Sequence, residues 1–375
     1  MTKTLTTNII RYFNLLYTTM ASEFDIESIL TRIEQNPNIS DLHLSAGEVV
    51  SYRINGDIAR HEEAWIMSWE AMEVMIRQLL HSDPQRFDKY MAEKDVDFAY
   101  VSKAGIPYRV SAFFKTTRMA VVMRKISKEA RKLEEIMFND IAESIKKNVL
   151  KAKTWLYLVT GPTGSWKSTS LVAMLDYINK TREENLITIE DPIEYVFKPE
   201  KCLVSQREIG HDTRSYKNAL RSSMRQDPDI IFVWEIRDRE TAEAVLSLAE
   251  TGHLVFSTLH TSSASHTVNR FIGFFPPEVQ ASIADRLAES LVWVQSQFLV
   301  QTKDKSTRVG LFEVMLNTIS IKNNIKKKEI PQLDNIIDTS TLIGMISLRR
   351  YAQKLIDKWI VDPLDIEWAL KEWEK

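Results

Sequence analysis

The sequence predicts an α/β protein in which a doubly wound sheet follows a small α+β domain. The chain has 375 residues, which is more than one small core usually encloses, so two domains are expected. From Trp155 onward apolar strands alternate with helices, and this texture is typical of a doubly wound sheet. Between Asp25 and Lys125 the predicted strands are short and mixed with amphipathic helices, which indicates a separate module.

The composition excludes several classes of protein. With 44% apolar and 27% charged residues, the chain has the make-up of an ordinary globular protein. Its net charge of −2 provides no general basic field for nucleic acid or an anionic membrane. The single cysteine, Cys202, excludes an intramolecular disulfide and a cysteine-rich zinc site, and it fits a reducing cytoplasm. No stretch reaches the roughly 18–20 apolar residues that span a bilayer.

The amino-terminal part is predicted to be a disordered tail over residues 1–22 and an α+β domain over residues 23–127. Apolar residues at helical spacing from Ile26 to Ile33 predict the first helix. Asn55 and Gly56 supply the positive-φ turn of a hairpin. The other predicted elements are a strand over 41–45, a helix over 67–80, and strands over 95–100, 108–113 and 119–126.

The rest of the chain divides into three predicted regions. Residues 128–150 are charge-rich and are predicted to form a linker with a connecting helix. The core domain is expected over 151–310, and its first strand is the apolar run 156–160. Residues 311–375 are expected to be largely helical, with a last helix that begins at about Pro363.

The strongest functional signal is a loop with two glycines between strand 156–160 and the helical run that follows. This context predicts a phosphate-binding loop, because successive backbone N–H groups at a helix N-terminus form an anion site. Lys167 is expected to reach the β- and γ-phosphates, and the Ser168 hydroxyl to bind Mg²⁺. The residues predicted to bind nucleotide here are Gly161, Pro162, Thr163, Gly164, Ser165, Trp166, Lys167, Ser168 and Thr169.

A second signal is Glu235, which ends an apolar strand that begins at about Asp229. In a nucleoside triphosphatase such an acid lies near Mg²⁺ and the attacking water. Glu235 is therefore a candidate to orient or deprotonate that water. The alternative is a surface glutamate that follows a core strand.

Three carboxylates, Glu190, Asp191 and Glu194, follow another apolar strand. Carboxylate oxygens suit a Mg²⁺–water shell. Asp191 and Glu194 are therefore candidate metal ligands together with Ser168, and Glu190 is a candidate catalytic acid. The alternative is an ordinary charged loop at the end of a strand.

Two histidines, His253 and His260, flank a further apolar strand. Both are candidate catalytic residues, and His260 is a candidate sensor of the γ-phosphate. A histidine at the end of a strand is more often structural, so the residues alone leave that alternative open.

Taken together, these segments resemble the secretion and pilus ATPase family in their order and spacing. The phosphate loop and the segments 189–194, 229–235 and 252–260 correspond to the four motifs of that family, and the resemblance covers about residues 23–370. It implies a RecA-like P-loop ATPase core preceded by a PAS-like domain, with ATP and Mg²⁺ as cofactors.

The resemblance also implies roles for the first domain, in which the segments 40–47 and 108–113 are similar to that family. Arg109 and Arg124 are expected to approach the nucleotide, either from a neighbouring subunit or on domain closure. The family further implies a homohexamer whose amino-terminal domains move against adjacent carboxy-terminal domains as ATP is hydrolysed.

Within the family the pilus-retraction branch fits best, since extension ATPases usually add a longer amino-terminal region and a four-cysteine zinc site. Residues 319–329 resemble a helix of that branch, with lysines at 322 and 326 in place of arginines. The branch implies a cytoplasmic motor at the inner face of the cytoplasmic membrane that drives twitching motility or DNA uptake. Its expected partners are an inner-membrane platform protein and a paralogous retraction ATPase, without direct nucleic-acid binding. A related secretion or pilus-extension ATPase is the alternative.

The glycine and tryptophan contents are unusual. There are 10 glycines, where about 7% usage would give roughly 26, and there are 9 tryptophans. Trp166 stands where a phosphate loop needs glycine, and Trp155, Trp234, Trp293 and Trp359 also occupy positions that are typically glycine in similar proteins. One hypothesis is that these residues are glycines encoded by UGA, which certain bacteria read as glycine. The alternative is a catalytically silent ring or scaffold subunit with a true Trp166.

Overall fold

The computed structural model describes residues 25–36, 38–54, 57–60, 66–126, 129–148, 150–340 and 344–373. It divides into two compact units. The first contains the chain up to Lys128 and the segment Pro192–Val196, and the second contains Glu129–Asp191 and Phe197–Lys375. The predicted tail over residues 1–22 and the turn at 55–56 lie outside the described residues.

The first unit is an antiparallel sheet with helices, which confirms the predicted small α+β domain. Its described strands pair antiparallel in the order β3-β2-β1-β6-β5-β4 once numbered along the chain. The elements are α1 Ile26–Glu34, β1 Ile39–Ser45, β2 Ser51–Ile54, β3 Asp57–Arg60, α2 Trp69–Leu79, α3 Pro84–Glu93, β4 Asp95–Val101, β5 Pro107–Lys115 and β6 Arg118–Lys125.

Helix α3 was not predicted, because its apolar content is too low to give a periodic pattern. Only Phe87 and Tyr90 are buried in it. A local signal was nevertheless present. The Asp83 side chain accepts a hydrogen bond from the Gln85 N–H, and Pro84 occupies the first turn, where its missing N–H costs nothing.

Two glutamates attach α1 to the sheet of the first unit. Glu27 is buried and accepts a hydrogen bond from the Tyr100 hydroxyl. Glu34 accepts hydrogen bonds from the hydroxyls of Ser102 (2.7 Å) and Tyr108 (2.9 Å). Because a buried carboxylate is costly unless it is hydrogen-bonded, these contacts fix α1 relative to β4 and β5.

The second unit contains a seven-stranded sheet in the order β13-β12-β7-β11-β10-β8-β9. Neighbouring strands are parallel except β12 and β13, which are antiparallel. This confirms the predicted RecA-like α/β core. The strands are β7 Trp155–Thr160, β8 Asn185–Glu190, β9 Leu203–Glu208, β10 Ile230–Val233, β11 Leu254–Leu259, β12 Leu291–Gln301 and β13 Arg308–Leu316.

The helices of the second unit connect these strands and cover the sheet. None of the helices in the described part of the chain is both long and apolar enough to cross a membrane. The helices are α4 Leu133–Ile136, α5 Asn139–Asn148, α6 Lys167–Thr181, α7 Tyr216–Ser223, α8 Arg239–Glu250, α9 Ala264–Gly273, α10 Gln280–Ser290, α11 Ile319–Lys327, α12 Gln332–Thr339, α13 Leu348–Asp357 and α14 Pro363–Trp373.

The strand order decides which loops lie side by side. The central strands are buried along their whole length, as expected for a parallel sheet covered on both faces. β11 lies between β7 and β10, so the loops that follow these three strands lie at one edge of the sheet. Ligands of open α/β sheets bind at this carboxyl edge.

The predicted boundary between residues 310 and 311 is wrong, because it falls inside β13. This strand is buried on nearly every residue, so it lacks the alternation that marks a half-exposed strand. The helices that follow also share the core of the sheet. Ile321 and Ile325 of α11 and Leu333 and Ile337 of α12 belong to the same buried cluster as the central strands.

The predicted linker is also revised. The described residues of this stretch, 129–148 and 150, belong to the second unit. Leu133 and Ile136 of α4 and Ile141 and Ile145 of α5 are buried, so this charge-rich stretch packs as part of a folded domain. Its charged residues had suggested a solvated connection.

Glu313 generates a prediction about the pH dependence of stability. Burial raises the pKa of Glu313 from 4.5 to about 8, although its carboxylate accepts a hydrogen bond from the Ala264 N–H at 2.7 Å. Between pH 4.5 and 8 the folded protein therefore keeps a proton that the unfolded chain releases, so the stability from this group is lost as the pH rises through that range. We expect Glu313→Gln to flatten this decline, measured as melting temperature against pH for both proteins. Parallel curves would contradict the assignment.

Candidate active site

The predicted phosphate loop connects β7 to α6. Gly161 leaves β7 with φ of 146°, and a Cβ there would lie 2.3 Å from the Gln297 carbonyl oxygen and 2.6 Å from the Ser165 hydroxyl oxygen, so only glycine fits. Gly164 follows with φ of 78°. Helix α6 begins at Lys167, and its first N–H groups, which have no acceptor within the helix, point toward the loop. This is the geometry of an anion site.

Hydrogen bonds within the protein hold the loop in shape. Lys167 Nζ donates to the carbonyl oxygens of Gly161 (2.9 Å) and Pro162 (3.0 Å). The Gln297 amide donates to the Ser165 carbonyl oxygen at 2.6 Å. The Ser165 hydroxyl is buried without a hydrogen-bond partner among the described residues. This hydroxyl is therefore available as a donor to a ligand atom in the loop.

Trp166 occupies the position directly before α6, in the left-handed region with φ of 66° and ψ of 26°. Its indole is half-buried, and the guanidinium carbon of Arg131 lies 4.8 Å from the ring centroid. Bulky residues other than glycine rarely adopt this conformation. The loop therefore has the backbone form that a phosphate site needs, and it carries a side chain that this form disfavours.

Glu235 lies two residues beyond β10, at the carboxyl edge of the sheet. Its side chain is 14% exposed, and each carboxylate oxygen faces one basic side chain. Arg237 Nε donates to Oε2 at 2.8 Å, and His260 Nε2 lies 3.4 Å from Oε1. β11 brings His260 close to Glu235. Val233 of β10 pairs with Ser257 of β11, so the residues that follow the two strands lie side by side. The predicted residues Glu235 and His260 are thus in contact.

The charge state of His260 follows from its surroundings. Burial and the nearby Lys167 lower the pKa of His260 below its usual 6.5; Arg237 acts in the same direction, and Glu235 opposes them. The imidazole is therefore neutral at pH 7, so one ring nitrogen donates a hydrogen bond and the other accepts one. A group in this state is able to contact a phosphate oxygen or a water molecule.

The two acids at the carboxyl end of β8, Glu190 within the strand and Asp191 after it, have different environments. Glu190 is buried and accepts hydrogen bonds from the Thr188 hydroxyl (2.6 Å) and the Gln206 amide (3.1 Å). Asp191 is more exposed, and its carboxylate lies 3.7 Å from the Arg237 guanidinium. Arg237 therefore links the acid after β8 to the acid after β10.

Three other predicted residues belong to the first unit. Arg109 on β5 donates to Glu194 at 3.0 Å. Arg124 on β6 donates to the buried Asp41 at 2.7 Å. Burial alone would raise the pKa of Asp41, but its hydrogen bonds, among them the one from Arg124, hold that pKa below its usual value. Both arginines thus have a carboxylate partner within this unit.

His253 lies at the opposite edge of the sheet from Glu235. It precedes β11, whereas His260 follows that strand. At about 3.3 Å per residue, the strand separates the two histidines by roughly 20 Å. His253 Nδ1 lies 2.9 Å from the Leu248 carbonyl oxygen instead. Within one subunit, the predicted pair of histidines is not brought together.

The residues at the carboxyl edge fit a nucleotide and a divalent cation. The N-terminus of α6, Lys167 and the unpaired Ser165 hydroxyl provide donors for phosphate oxygens. Ser168 is the second residue of α6, from which its hydroxyl can reach a phosphate-bound cation. In the described part of the chain, no group of three or more His, Cys, Asp and Glu side chains could hold a metal ion. Of the residues predicted to bind Mg²⁺, Ser168 lies at the start of α6 and Asp191 directly follows β8, whereas Glu194 belongs to the first unit.

Two residues of this site were not predicted. Arg237 carries no periodic or motif signal by itself, and only the fold shows that it turns back onto Glu235. Gln297 did carry a signal. It lies two residues after Gln295 in the mostly apolar β12, so both amides lie on the same buried face, where polar side chains need a partner.

Comparison with known proteins gives one family. Residues 23–336 match the model of a family described as type II/IV secretion system protein. This match covers most of the chain, including both structural units.

Two relatives agree with the family match. The type IV pilus retraction ATPase PilT of Pseudomonas aeruginosa is 39% identical over 331 residues, which cover 86% of this chain and 91% of that protein. A twitching motility protein of Neisseria gonorrhoeae is 37% identical over 311 residues, covering 83% of this chain and 81% of that protein.

Solved structures give the same picture. A crystal structure of the pilus retraction motor PilT with bound ADP has a TM-score of 0.80 and 33% identity, covering 91% of this chain and 95% of that one. The ATPase DotB of Legionella pneumophila has a TM-score of 0.78 at 24% identity and covers 92% of this chain and 96% of that one. The second similarity shows a shared fold.

Arg237 generates a prediction about turnover. We expect Arg237→Ala to lower nucleoside triphosphate hydrolysis on the order of 10²-fold, because the Glu235 carboxylate loses the contact that orients it. KM should change far less than kcat, since Arg237 does not belong to the phosphate loop. Arg239→Ala, which removes an exposed arginine at the start of α8, is the matched control and should leave both constants nearly unchanged. Equal effects of the two variants on kcat would contradict this role.

Proposed function

The chain belongs to the family of type II/IV secretion system proteins, and we propose that it is the ATP-hydrolysing motor of type IV pilus retraction. The observation that carries the proposal is the contact of Glu235 with His260 and Arg237 beside the phosphate loop. An acid with oriented neighbours at this edge suits the activation of water, and a scaffold without turnover would not need it. The similarity to pilus-retraction ATPases over most of the chain supports the choice of motor.

Nucleotide binding is assigned to the loop and the start of α6. The N–H groups of the loop bind the phosphates, and Lys167 exchanges its two carbonyl partners for β- and γ-phosphate oxygens. Hydrogen bonds between charged groups are stronger than those to neutral carbonyls, so this exchange favours the bound state. When Mg²⁺ is bound by Ser168 and the phosphates, it neutralises charge that builds up on the transferred group.

Hydrolysis is assigned to Glu235. Its carboxylate accepts the proton of the attacking water, while Arg237 holds one of the carboxylate oxygens in place. The neutral His260 contacts the other side of the carboxylate, and it is close enough to Lys167 to sense a γ-phosphate. Glu190 is assigned as a second carboxylate of the site. Hydrogen bonds from Thr188 and Gln206 hold it in place.

The working assembly is proposed to be a homohexamer at the inner face of the cytoplasmic membrane, acting on a platform protein of the pilus base. In this assembly Arg109 and Arg124 would leave their carboxylate partners and approach a nucleotide. The side chains of Arg109 and Glu194 are 45% and 30% exposed, and exposed pairs contribute only about 0.2–1 kcal/mol, so this pair is exchanged at low cost. The Arg124–Asp41 pair differs, because Asp41 is only 4% exposed and its carboxylate would lose a charged partner inside the protein if Arg124 moved away.

The catalytic assignment predicts a separation of binding from turnover. In protein isolated from cells that make it naturally, Glu235→Gln should retain ATP binding and lose hydrolysis by about 10²–10⁴-fold, because the amide cannot accept the proton of water. Lys167→Ala should lose binding itself. The measurements are equilibrium binding of a fluorescent ATP analogue and steady-state release of phosphate.

The matched control is Glu240→Gln, which neutralises an exposed glutamate in the first turn of α8, away from the loop. It should hydrolyse ATP at the rate of the parent. Persistent hydrolysis in the Glu235→Gln protein would overturn the assignment of Glu235.

To separate retraction from secretion or extension, the gene would be deleted in its own host. Cells that keep surface pili but fail to retract them support retraction, and cells without pili indicate extension.

A second candidate function is a ring subunit that does not hydrolyse ATP. The observation that favours it is Trp166, whose indole stands where the loop backbone must approach phosphates closely. Such a subunit would assemble with a paralogous retraction ATPase that supplies turnover. Normal ATP binding by the Trp166 protein would remove the reason for this candidate.

A further inference from the structure

Three tryptophans adopt a backbone conformation that belongs to glycine. Trp155, Trp166 and Trp359 have φ angles of 98°, 66° and 58°. Only a few per cent of non-glycine residues have positive φ, and asparagine, aspartate and histidine are the enriched types. The structure describes the backbone of every tryptophan but Trp65, so chance would supply fewer than one such residue.

Trp359 is the residue that ends α13. Its N–H donates to the Ile356 carbonyl oxygen at 2.8 Å, and the Ile360 N–H donates to the Leu355 carbonyl oxygen at 3.0 Å. These two bonds define a Schellman motif, in which the residue at the position of Trp359 is left-handed and is usually glycine. The indole is 75% exposed, so burial of the ring does not explain why a tryptophan is there.

Trp155 has the least accessible conformation of the three. A φ of 98° lies beyond the small left-handed region that non-glycine residues visit, which ends near 70°. The backbone is held there by pairing, since the Trp155 N–H donates to the His253 carbonyl oxygen at 2.9 Å and the residue pairs with Leu254 of β11. The side chain is 46% exposed. The fold therefore imposes the conformation of residue 155, and burial of the indole contributes little to compensate for it.

Trp166 is the third case, and it lies in the phosphate loop. Gly164 has φ of 78° and Trp166 has φ of 66°, with Ser165 between them. Left-handed residues in such a loop turn successive N–H groups toward an anion. The conformation at residue 166 is thus required by the loop, whatever side chain the residue carries.

Other tryptophans do not share this geometry. Trp69 begins the helix α2, and Trp293 lies within β12, where its ring is buried and stacks on Tyr157 with centroids 5.7 Å apart. Neither has positive φ. The backbone therefore distinguishes positions that call for glycine from Trp69 and Trp293, where no positive φ is required.

We propose that residues 155, 166 and 359 are glycine in the protein that its own cells make, because those cells read one codon, translated elsewhere as tryptophan, as glycine. A single decoding rule explains the three backbone outliers together, and it also accounts for part of the shortage of glycine and part of the excess of tryptophan. The inference rests on backbone geometry. Only its consequence, an unobstructed phosphate loop, rests on the proposed function.

The first experiment determines the residues in the native protein. Cleavage after lysine places residues 155 and 166 in one peptide, 154–167, and places residue 359 at the start of another, because Lys153, Lys167 and Lys358 flank them. We expect mass spectrometry of both peptides, from the organism's own protein, to show glycine at all three positions. Tryptophan at these positions would overturn the proposal.

The second experiment tests the backbone argument on recombinant full-length chains. At residues 155, 166 and 359, replacement of tryptophan by glycine should raise the melting temperature by about 2–4 °C per site, and by more than replacement by alanine does. Trp69 is the matched control: there alanine should be better tolerated than glycine, because residue 69 is helical. Equal stability of the alanine and glycine variants at the three positions would contradict the geometric argument.

Nucleotide binding then separates this inference from the proposed function. The Trp166→Gly chain should bind ATP at least about 10-fold more tightly than the Trp166 chain, while Trp359→Gly should leave ATP affinity unchanged. If native protein contains glycine and still fails to hydrolyse ATP, the inference holds and the motor assignment fails. If it contains tryptophan and hydrolyses ATP, the motor assignment holds and the inference fails.

Discussion

The order of the parallel strands in the second sheet is the constraint on which the site depends. β11 separates the strand that leads into the phosphate loop from the strand that leads to Glu235. Neighbouring strands lie about 4.8 Å apart, so the two loops are held roughly 10 Å from each other. If β7 and β10 were direct neighbours, Glu235 would lie against the phosphate loop. No space would then remain between them for a γ-phosphate and a water molecule. His260, at the end of β11, lies in the gap by the same geometry.

Charge at this edge is arranged so that each group has a partner before nucleotide arrives. Lys167 is bound to loop carbonyls, and Arg237 is bound to Glu235. The two cations differ in what they give up when phosphate binds. In the proposed function, Lys167 would exchange neutral acceptors for charged ones, which favours nucleotide binding. Arg237 already has a charged acceptor in Glu235, so the same exchange would gain it little, and it would keep that carboxylate oriented.

Most of this arrangement could be predicted from the sequence wherever a local pattern of residues indicated it. The loop, Glu235 and His260 could be proposed together because apolar strands end just before them, and parallel strands bring their ends to one edge of a sheet. Strand β13 was missed because burial on both faces removes alternation. Helix α3 was missed because only two of its residues, Phe87 and Tyr90, are buried. Arg237 could not be assigned, since no local pattern shows that a side chain turns back onto its neighbour.

The tryptophans with positive φ need an explanation that applies along the whole chain, because they lie at three separate places in it. A left-handed conformation costs a residue with a Cβ roughly 1–2 kcal/mol, so three sites together represent roughly 3–6 kcal/mol. That is a large part of the 5–15 kcal/mol that typically separates folded from unfolded protein. Loss of an active site would relax selection on the loop, but it gives no reason for tryptophan at glycine-like positions elsewhere. Trp155 lies at the opposite end of β7 from that loop, and Trp359 lies in the motif that ends α13. A cause in decoding reaches all three positions at once.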